Sequence, residues 1–374
     1  MMRKKWVKIS VLFVMFFALI DRDRAVGSLI YETYLESWDS QWNAAMTGLP
    51  PIPSTSATRY DSVTLNIAFA SYTFPGLNGV QFSNPTADTH TVIDFVHSQN
   101  GKVKVSYGGA SYAGPNYFIS QTFGWPNNIP NLVTGVTDVV TTYGFDGVDF
   151  DIEDSLPTGT QPQEFADQLF SFLLGVRNAL PNKIISLTIP GQAWGTYWKI
   201  LAQHVADAGI VDYINFMEYD IWIGTPTYQS QIQADIATYT SPTGTFPAPN
   251  YAVGWGIPAK LIQLGLMPGN DDTRQFLSVS ASEDLTRFAI ANGLFGVMTW
   301  DLDRDAGTDP IPSLGGATPY QYSNAIRNIL FSQPLIKNRL LAMKKKQLNQ
   351  SKKKAHKRKP PFEKLPPPLH GAPE

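Results

Sequence analysis

A chain of 374 residues, 43% hydrophobic and 12% aromatic, is long enough for one large α/β barrel or two ordinary domains, and the absence of cysteine excludes disulfides, thiol nucleophiles and thiolate metal sites. The formal net charge of -2 hides a partition: residues 1–27 carry six Lys/Arg against two acids, residues 337–374 carry twelve against two, and the body between them holds 11 basic and 27 acidic residues. So acidic a body speaks against a dedicated nucleic-acid site and suits a neutral or cationic substrate.

The first 27 residues combine a basic start (Arg3, Lys4, Lys5, Lys8), an apolar run from Ile9 to Ile20 and small residues at Ala25 and Gly27. That order predicts a secretory signal peptide and an extracellular destination. Twelve residues, eleven of them apolar, are short for a membrane span. The charged Asp21–Arg24 stretch keeps an uncleaved N-terminal anchor as the rival.

From residue 28 to 335, apolar and β-branched runs alternate with helix-like stretches. Strands are expected at Leu29–Thr33, Thr64–Ala70, Val103–Tyr107, Gly147–Glu153, Ile184–Ile189, Tyr213–Met217, Tyr251–Gly254 and Leu294–Thr299. Helical spacing of apolar residues falls between them, over Thr91–Ser98, Gln163–Ala179, Tyr228–Tyr239 and Ser282–Ala291. Eight such β/α units predict an α/β fold, a (β/α)8 TIM barrel. A doubly wound sheet usually carries a glycine-rich loop after its first strand, and Leu29–Ser37 has no glycine. Residues 336–374, lysine-rich and then proline-rich, predict a disordered basic tail. A solvated tail is the plain reading; contact with a polyanionic surface is the sharper one.

The most informative stretch is FDGVDFDIED, Phe145 to Asp154. Side chains alternate faces along a strand, so Val148, Phe150 and Ile152 point to packed helices while Asp149, Asp151 and Glu153 point into the lumen. Glu153 comes last, at the end where barrel enzymes place their chemistry. Like charges raise one another's pKa, so one of Asp149 and Asp151 is expected to stay protonated or to share a proton, and Glu153 to stay protonated near neutral pH, as a general acid requires. A solvated acidic loop would not carry the interleaved apolar residues. A divalent metal cluster is disfavoured because the spacing is not that of an EF-hand and none of His90, His97 and His204 ends a predicted strand.

FDGVDFDIE resembles the DGxDxDxE signature of family-18 glycoside hydrolases, the chitinases and endo-β-N-acetylglucosaminidases, through Asp146, Gly147, Asp149, Asp151 and Glu153. Three further segments resemble family elements in the same order: Ser106–Gly109 (SYGG), Met217–Asp220 (MEYD) and Val297–Asp301 (VMTWD). Ala68–Ala70, with Phe69, is similar to the second-strand segment. The resemblance covers 28–335. It implies substrate-assisted hydrolysis with retained configuration, an exception to the two-carboxylate scheme. Glu153 would protonate the glycosidic oxygen while the substrate's 2-acetamido carbonyl attacks the anomeric carbon. Asp151 would orient the acetamido N–H, Asp149 would hold Asp151, and Tyr219 would bind the acetamido oxygen. Asp220 and Met217 would contact the sugar, Trp300 would floor the reacting ring, and Gly109 would let strands approach closely. For Asp146, bracing of the strand is the alternative to a role in the site.

Apart from Trp6 in the leader, the tryptophans lie at or after predicted strands: Trp38, Trp42, Trp125, Trp194, Trp198, Trp222, Trp255 and Trp300. That places them at the barrel mouth, and about half, with Trp300, Trp222 and Trp255 foremost, are expected to touch a sugar. Many family members insert a small α+β domain between strands seven and eight. Gly254 to Leu294 is too short for one, so a shallow cleft and endo-type cutting are expected. The resulting reading is a monomeric, exported, chitinase-like hydrolase of β-1,4-linked N-acetylglucosamine polymers that needs no cofactor. The alternatives are an endo-β-N-acetylglucosaminidase acting on N-glycans or peptidoglycan, and a non-catalytic lectin.

Overall fold

A computed structural model describes residues 29–36, 63–70, 86–110, 127–153, 155–192, 196–243, 254–307 and 314–332. The leader expected over 1–27, the tail expected over 336–374, and Trp38, Trp42, Trp125 and Trp194 lie outside the described residues.

Eight parallel strands close into a barrel. In chain order they are β1 (Ile30–Glu36), β2 (Val63–Ala70), β3 (Lys102–Gly108), β4 (Gly147–Asp151), β5 (Ile184–Pro190), β6 (Tyr213–Met217), β7 (Ile262–Leu266) and β10 (Gly296–Thr299), and β10 closes on β1. Helices lie between them: α1 (Thr86–Ser98), α2 (Ile129–Tyr143), α3 (Pro162–Ala179), α4 (Thr196–Ala208), α5 (Tyr228–Thr240) and α6 (Val279–Ala291). A short α7 (Leu302–Ala306) and α8 (Gln321–Ser332) follow the last strand. The expected (β/α)8 barrel is the fold found. Between β7 and β10 the chain makes only a small hairpin, β8 (Gly269–Asn270) with β9 (Phe276–Leu277), and α6, so no α+β domain is inserted there.

The seventh strand is a correction. It is Ile262–Leu266; of the stretch Tyr251–Gly254 where it was expected, residues 251–253 lie outside the described residues, and Gly254 packs in a loop against the end of α5, where a Cβ would come 2.4 Å from the Ser241 carbonyl oxygen. The sequence IQLGL hides the strand because its lumen positions hold Gln263 and Gly265, which break the apolar run.

Period-two alternation divides the barrel into two environments. Outward residues such as Val105, Val148, Phe150, Ile152, Leu187 and Phe216 join one core with the helices, and the Phe150 ring meets Phe172 of α3 edge to face. Full burial of such side chains contributes about 1.5–3 kcal/mol each. The lumen is polar instead: Glu32, Asn66, Lys104, Asp149, Ser186, Thr188 and Asn215 are all fully buried there. Asp146 lies below β4, at the barrel's N-terminal side. It accepts from His97 Nε2 at 2.7 Å, Lys102 Nζ at 3.1 Å and the Val103 N–H at 2.9 Å, so it braces β3 against β4. Burial opposes its charge, but these donors hold its pKa below the usual range.

Candidate active site

Beyond the last residue of β4 the chain keeps a bridged, extended path: Ile152 N–H bonds the Thr188 carbonyl at 2.8 Å and the Trp198 indole donates to the Ile152 carbonyl at 2.9 Å. Trp198 therefore fixes the backbone just before Glu153 from α4, a bracing role that its place after a strand did not reveal. Glu153 reaches a cleft of about 290 Å3 lined by Ala110, Asp151, Pro190, Gly191, Met217, Tyr219, Asp220, Met267, Asp272 and Trp300.

Burial is the first cause that pushes Glu153 up to about 7. A hydrogen bond from the Ala110 N–H opposes the shift, and the Asp220 charge adds to it. The expected result is present, but its cause differs from the one expected: the like charge that matters is Asp220 across the cleft, not the neighbours on β4. Asp220 is itself raised to about 6, by burial and then by Asp272 and Asp271, although the N–H groups of Thr273 and Asp272 donate to it.

Asp149 sits one layer below Asp151. Tyr34 Oη and Ser106 Oγ donate to its Oδ2 at 2.7 and 2.9 Å, Thr188 Oγ1 lies 2.9 Å from Oδ1, and Ser186 Oγ donates to Oδ1. The strand register places Ser106, Asp149 and Ser186 side by side, which is why the donors converge. Ser106 belongs to the SYGG segment noted above; Tyr34, Ser186 and Thr188 were not singled out. Their signal was available in IISLTIP, where Ser186 and Thr188 alternate with buried aliphatics.

Tyr219 packs with Tyr34, Met217, Met267, Met298 and Trp300. Burial holds its hydroxyl pKa well above the ordinary value, with Asp151, Glu153, Asp220 and Asp301 adding to the shift, so it is a proton donor. Trp300 lies 5.3 Å from the Tyr34 ring, and the Trp300–Asp301 peptide is cis. Glu153, Asp151, Tyr219, Trp300, Asp220 and Met217 thus share one cleft.

Other expected positions fall elsewhere. Gly109 is buried beside the cleft with φ 92° and donates its N–H to the Asp151 carbonyl at 3.0 Å; Ala110, the next residue, lines the cleft. Phe69 is on β2, and its side chain lies outside the described set. Trp255 is 6% exposed and packs against Phe216 and Tyr239, so it is core, not rim. Its apolar surroundings behind β6 explain the difference. Trp222 is 66% exposed after β6, outside the cleft lining, with its backbone clamped by Gln192 through bonds of 2.7 and 3.0 Å.

A sequence model of the glycosyl hydrolases family 18 matches residues 33–269. The chain belongs to glycoside hydrolase family 18. Over 138 residues, 34% of its length, this family-18 chain is 28% identical to the secreted chitinase LysM12 of Penicillium expansum, and the match spans only 9% of that protein. Its barrel superposes on a chitinase from Bacteroides thetaiotaomicron with a TM-score of 0.59 at 15% identity, covering 82% of this chain and 98% of that one. Active domain 2 of the Pyrococcus furiosus chitinase, in catalytic-site mutants complexed with chito-oligosaccharides, gives 0.58 at 18% identity, covering 82% and 96%. At such identities the likeness is one of fold.

Proposed function

We propose that this family-18 protein is an exported, endo-acting chitinase that cleaves β-1,4 links between N-acetylglucosamine units with retention of configuration. One observation carries the reading: a carboxyl whose pKa is raised to about 7 faces the same cleft as Asp151, Tyr219 and Trp300. Glu153 donates its proton to the glycosidic oxygen as the bond to the anomeric carbon breaks. The acetamido carbonyl of the same sugar attacks that carbon and gives an oxazolinium ion. Asp151 orients the acetamido N–H and offsets the positive charge, and Tyr219 donates to the acetamido oxygen. Charge stabilisation by groups already in place contributes most in a cleft that excludes water. Water then opens the ring from the same face, returning one proton to Glu153. Trp300 presents an apolar floor to the sugar, and Asp220 binds a hydroxyl at the rim. The short β7–β10 connection leaves the cleft shallow, which suits internal cuts in a long chain. The leader-like residues 1–27 support export, and the basic residues 336–374 support contact with polyanionic surfaces.

The test compares chitohexaose with its fully de-N-acetylated counterpart and follows the anomer first formed. Cleavage of the acetylated chain alone, with the β anomer first, is expected. Equal cleavage of both, or the α anomer first, contradicts the mechanism. High-mannose glycoprotein and bacterial sacculi run alongside: release from either in preference to chitin reassigns the substrate, and binding without cleavage makes the protein a lectin.

A further inference from the structure

Below the carboxylates, the lumen holds a buried cation that the proposed reaction does not use. Lys104, on β3 two residues before Ser106, is fully buried. Its Nζ lies 3.1 Å from Glu32 Oε1, 2.5 Å from Ser186 Oγ and 4.6 Å from the centre of the Tyr213 ring. Glu32 also accepts from Tyr213 Oη at 2.6 Å, Asn215 Nδ2 at 3.2 Å and Asn66 Nδ2. Burial pushes Glu32 above the ordinary range even with Lys104 beside it, and Asp149 adds to the shift. One cation is therefore placed between two buried carboxyls, Glu32 directly and Asp149 through Ser186.

The chemistry of the donors fixes a direction. An ammonium has no lone pair, so Ser186 Oγ accepts from Lys104 and its single hydrogen goes to Asp149 Oδ1. Asn215 Nδ2 donates to Thr188 Oγ1 at 2.9 Å, which turns the Thr188 hydrogen toward Asp149 as well. With Tyr34 and Ser106 on Oδ2, both oxygens of Asp149 are occupied as acceptors. A proton on Asp149 would need an acceptor, and the Ser186 hydroxyl cannot reverse while Lys104 donates to it. The titratable groups facing Asp149 are Glu32 and Tyr34 from β1, Lys104 from β3, Asp151 from β4 and Tyr213 from β6.

We propose that Lys104 is a positioning residue: through Ser186 it fixes Asp149 as a hydrogen-bond acceptor, so that Asp149 stays a carboxylate beneath Asp151. The proposal rests on the roles given to Asp151 and Glu153 above.

The test uses the full chain with 13C-labelled aspartate carboxyls, the Asp149 signal being assigned by its loss in Asp149→Asn, together with the pH dependence of kcat/KM on chitohexaose. In the wild type the Asp149 signal is expected to be that of a carboxylate wherever the enzyme turns over. Glu32→Gln leaves Lys104 to Asp149 alone and is expected to move the acid limb down by about one pH unit. Lys104→Met/Glu32→Gln, which leaves no lone buried ion and frees the Ser186 hydroxyl to turn, is expected to move it up. A merely structural role changes the height of the profile and not the position of its limbs. An Asp149 signal of the protonated form at the working pH, or limbs unmoved in both variants, overturns the proposal. If the double variant does not fold, the wild-type signal and the isosteric Glu32→Gln still decide it. Absence of turnover in a wild type whose Asp149 signal is that of a carboxylate sinks the chitinase reading and leaves the lumen assignment standing.

Discussion

Glu153 illustrates how much of a functional residue lies in its surroundings. Its pKa of about 7 arises first from burial and then from the charge of Asp220. With Glu153 as the proposed proton donor, activity is expected to fall as pH rises through about 7. Removing the negative neighbour in Asp220→Asn is expected to move that basic limb of kcat/KM down by roughly half a pH unit. Stability carries the opposite mark of the same shift. The folded Glu153 holds its proton more tightly than the unfolded chain does, so its contribution is fully present below pH 4.5 and is lost as pH rises through about 7. Glu153→Gln is therefore expected to be more stable than the wild type at higher pH, by on the order of 1–3 kcal/mol, and no more stable in acid. Denaturant midpoints at two pH values read this. The carboxylates were legible because their two-residue period is written in ten consecutive positions. Of the donors to Asp149, Tyr34, Ser186 and Thr188 were not singled out, because they come from separate strands and meet Ser106 only after the barrel closes. Asp220, as the charge acting on Glu153, was hidden for the same reason.

At the scale of elements, β4 owes its position to what is missing from Gly147. A Cβ there would lie 2.2 Å from the Ile184 carbonyl oxygen of β5. Gly147→Ala is expected to cost about 1–3 kcal/mol of stability and to lower kcat by pushing Asp149 and Asp151 out of register with β5. Differential scanning calorimetry and turnover together check this, and a variant as stable and active as the wild type contradicts the packing account. Strands rich in β-branched or aromatic residues were readable, as in β5 and β6. The seventh was misplaced because Gln263 and Gly265 interrupt its apolar run, and Tyr251–Gly254 mimicked a strand with two aromatics nearby. Helix cores were legible from their apolar spacing, while their ends shifted by up to five residues, as at α1, which begins at Thr86 instead of Thr91.

At the scale of the whole molecule, the barrel has an acidic body, and its described residues form a cleft with aromatic and acidic walls at the end where β4 and β6 finish. The exposed Trp222, clamped through its backbone by Gln192, lies outside the lining residues and is the position proposed for a further sugar contact. Trp222→Ala is expected to weaken binding of chitohexaose about tenfold, the worth of one aromatic contact, and to leave binding of chitobiose unchanged. Titration calorimetry with both oligomers checks this; equal losses contradict an extended cleft. The architecture was legible because eight short apolar runs alternate with helical ones. The division of the tryptophans into rim and core was not, since Trp222 and Trp255 both follow a predicted strand and differ only in what folds over them.

The most direct test of the account is single-turnover cleavage of chitohexaose by the wild type and by Glu153→Gln, with binding of the same oligomer measured for both. The account predicts unchanged binding and a loss of at least about 100-fold in the cleavage rate, the share of a general acid. Cleavage by Glu153→Gln at the wild-type rate would mean that the proton comes from elsewhere.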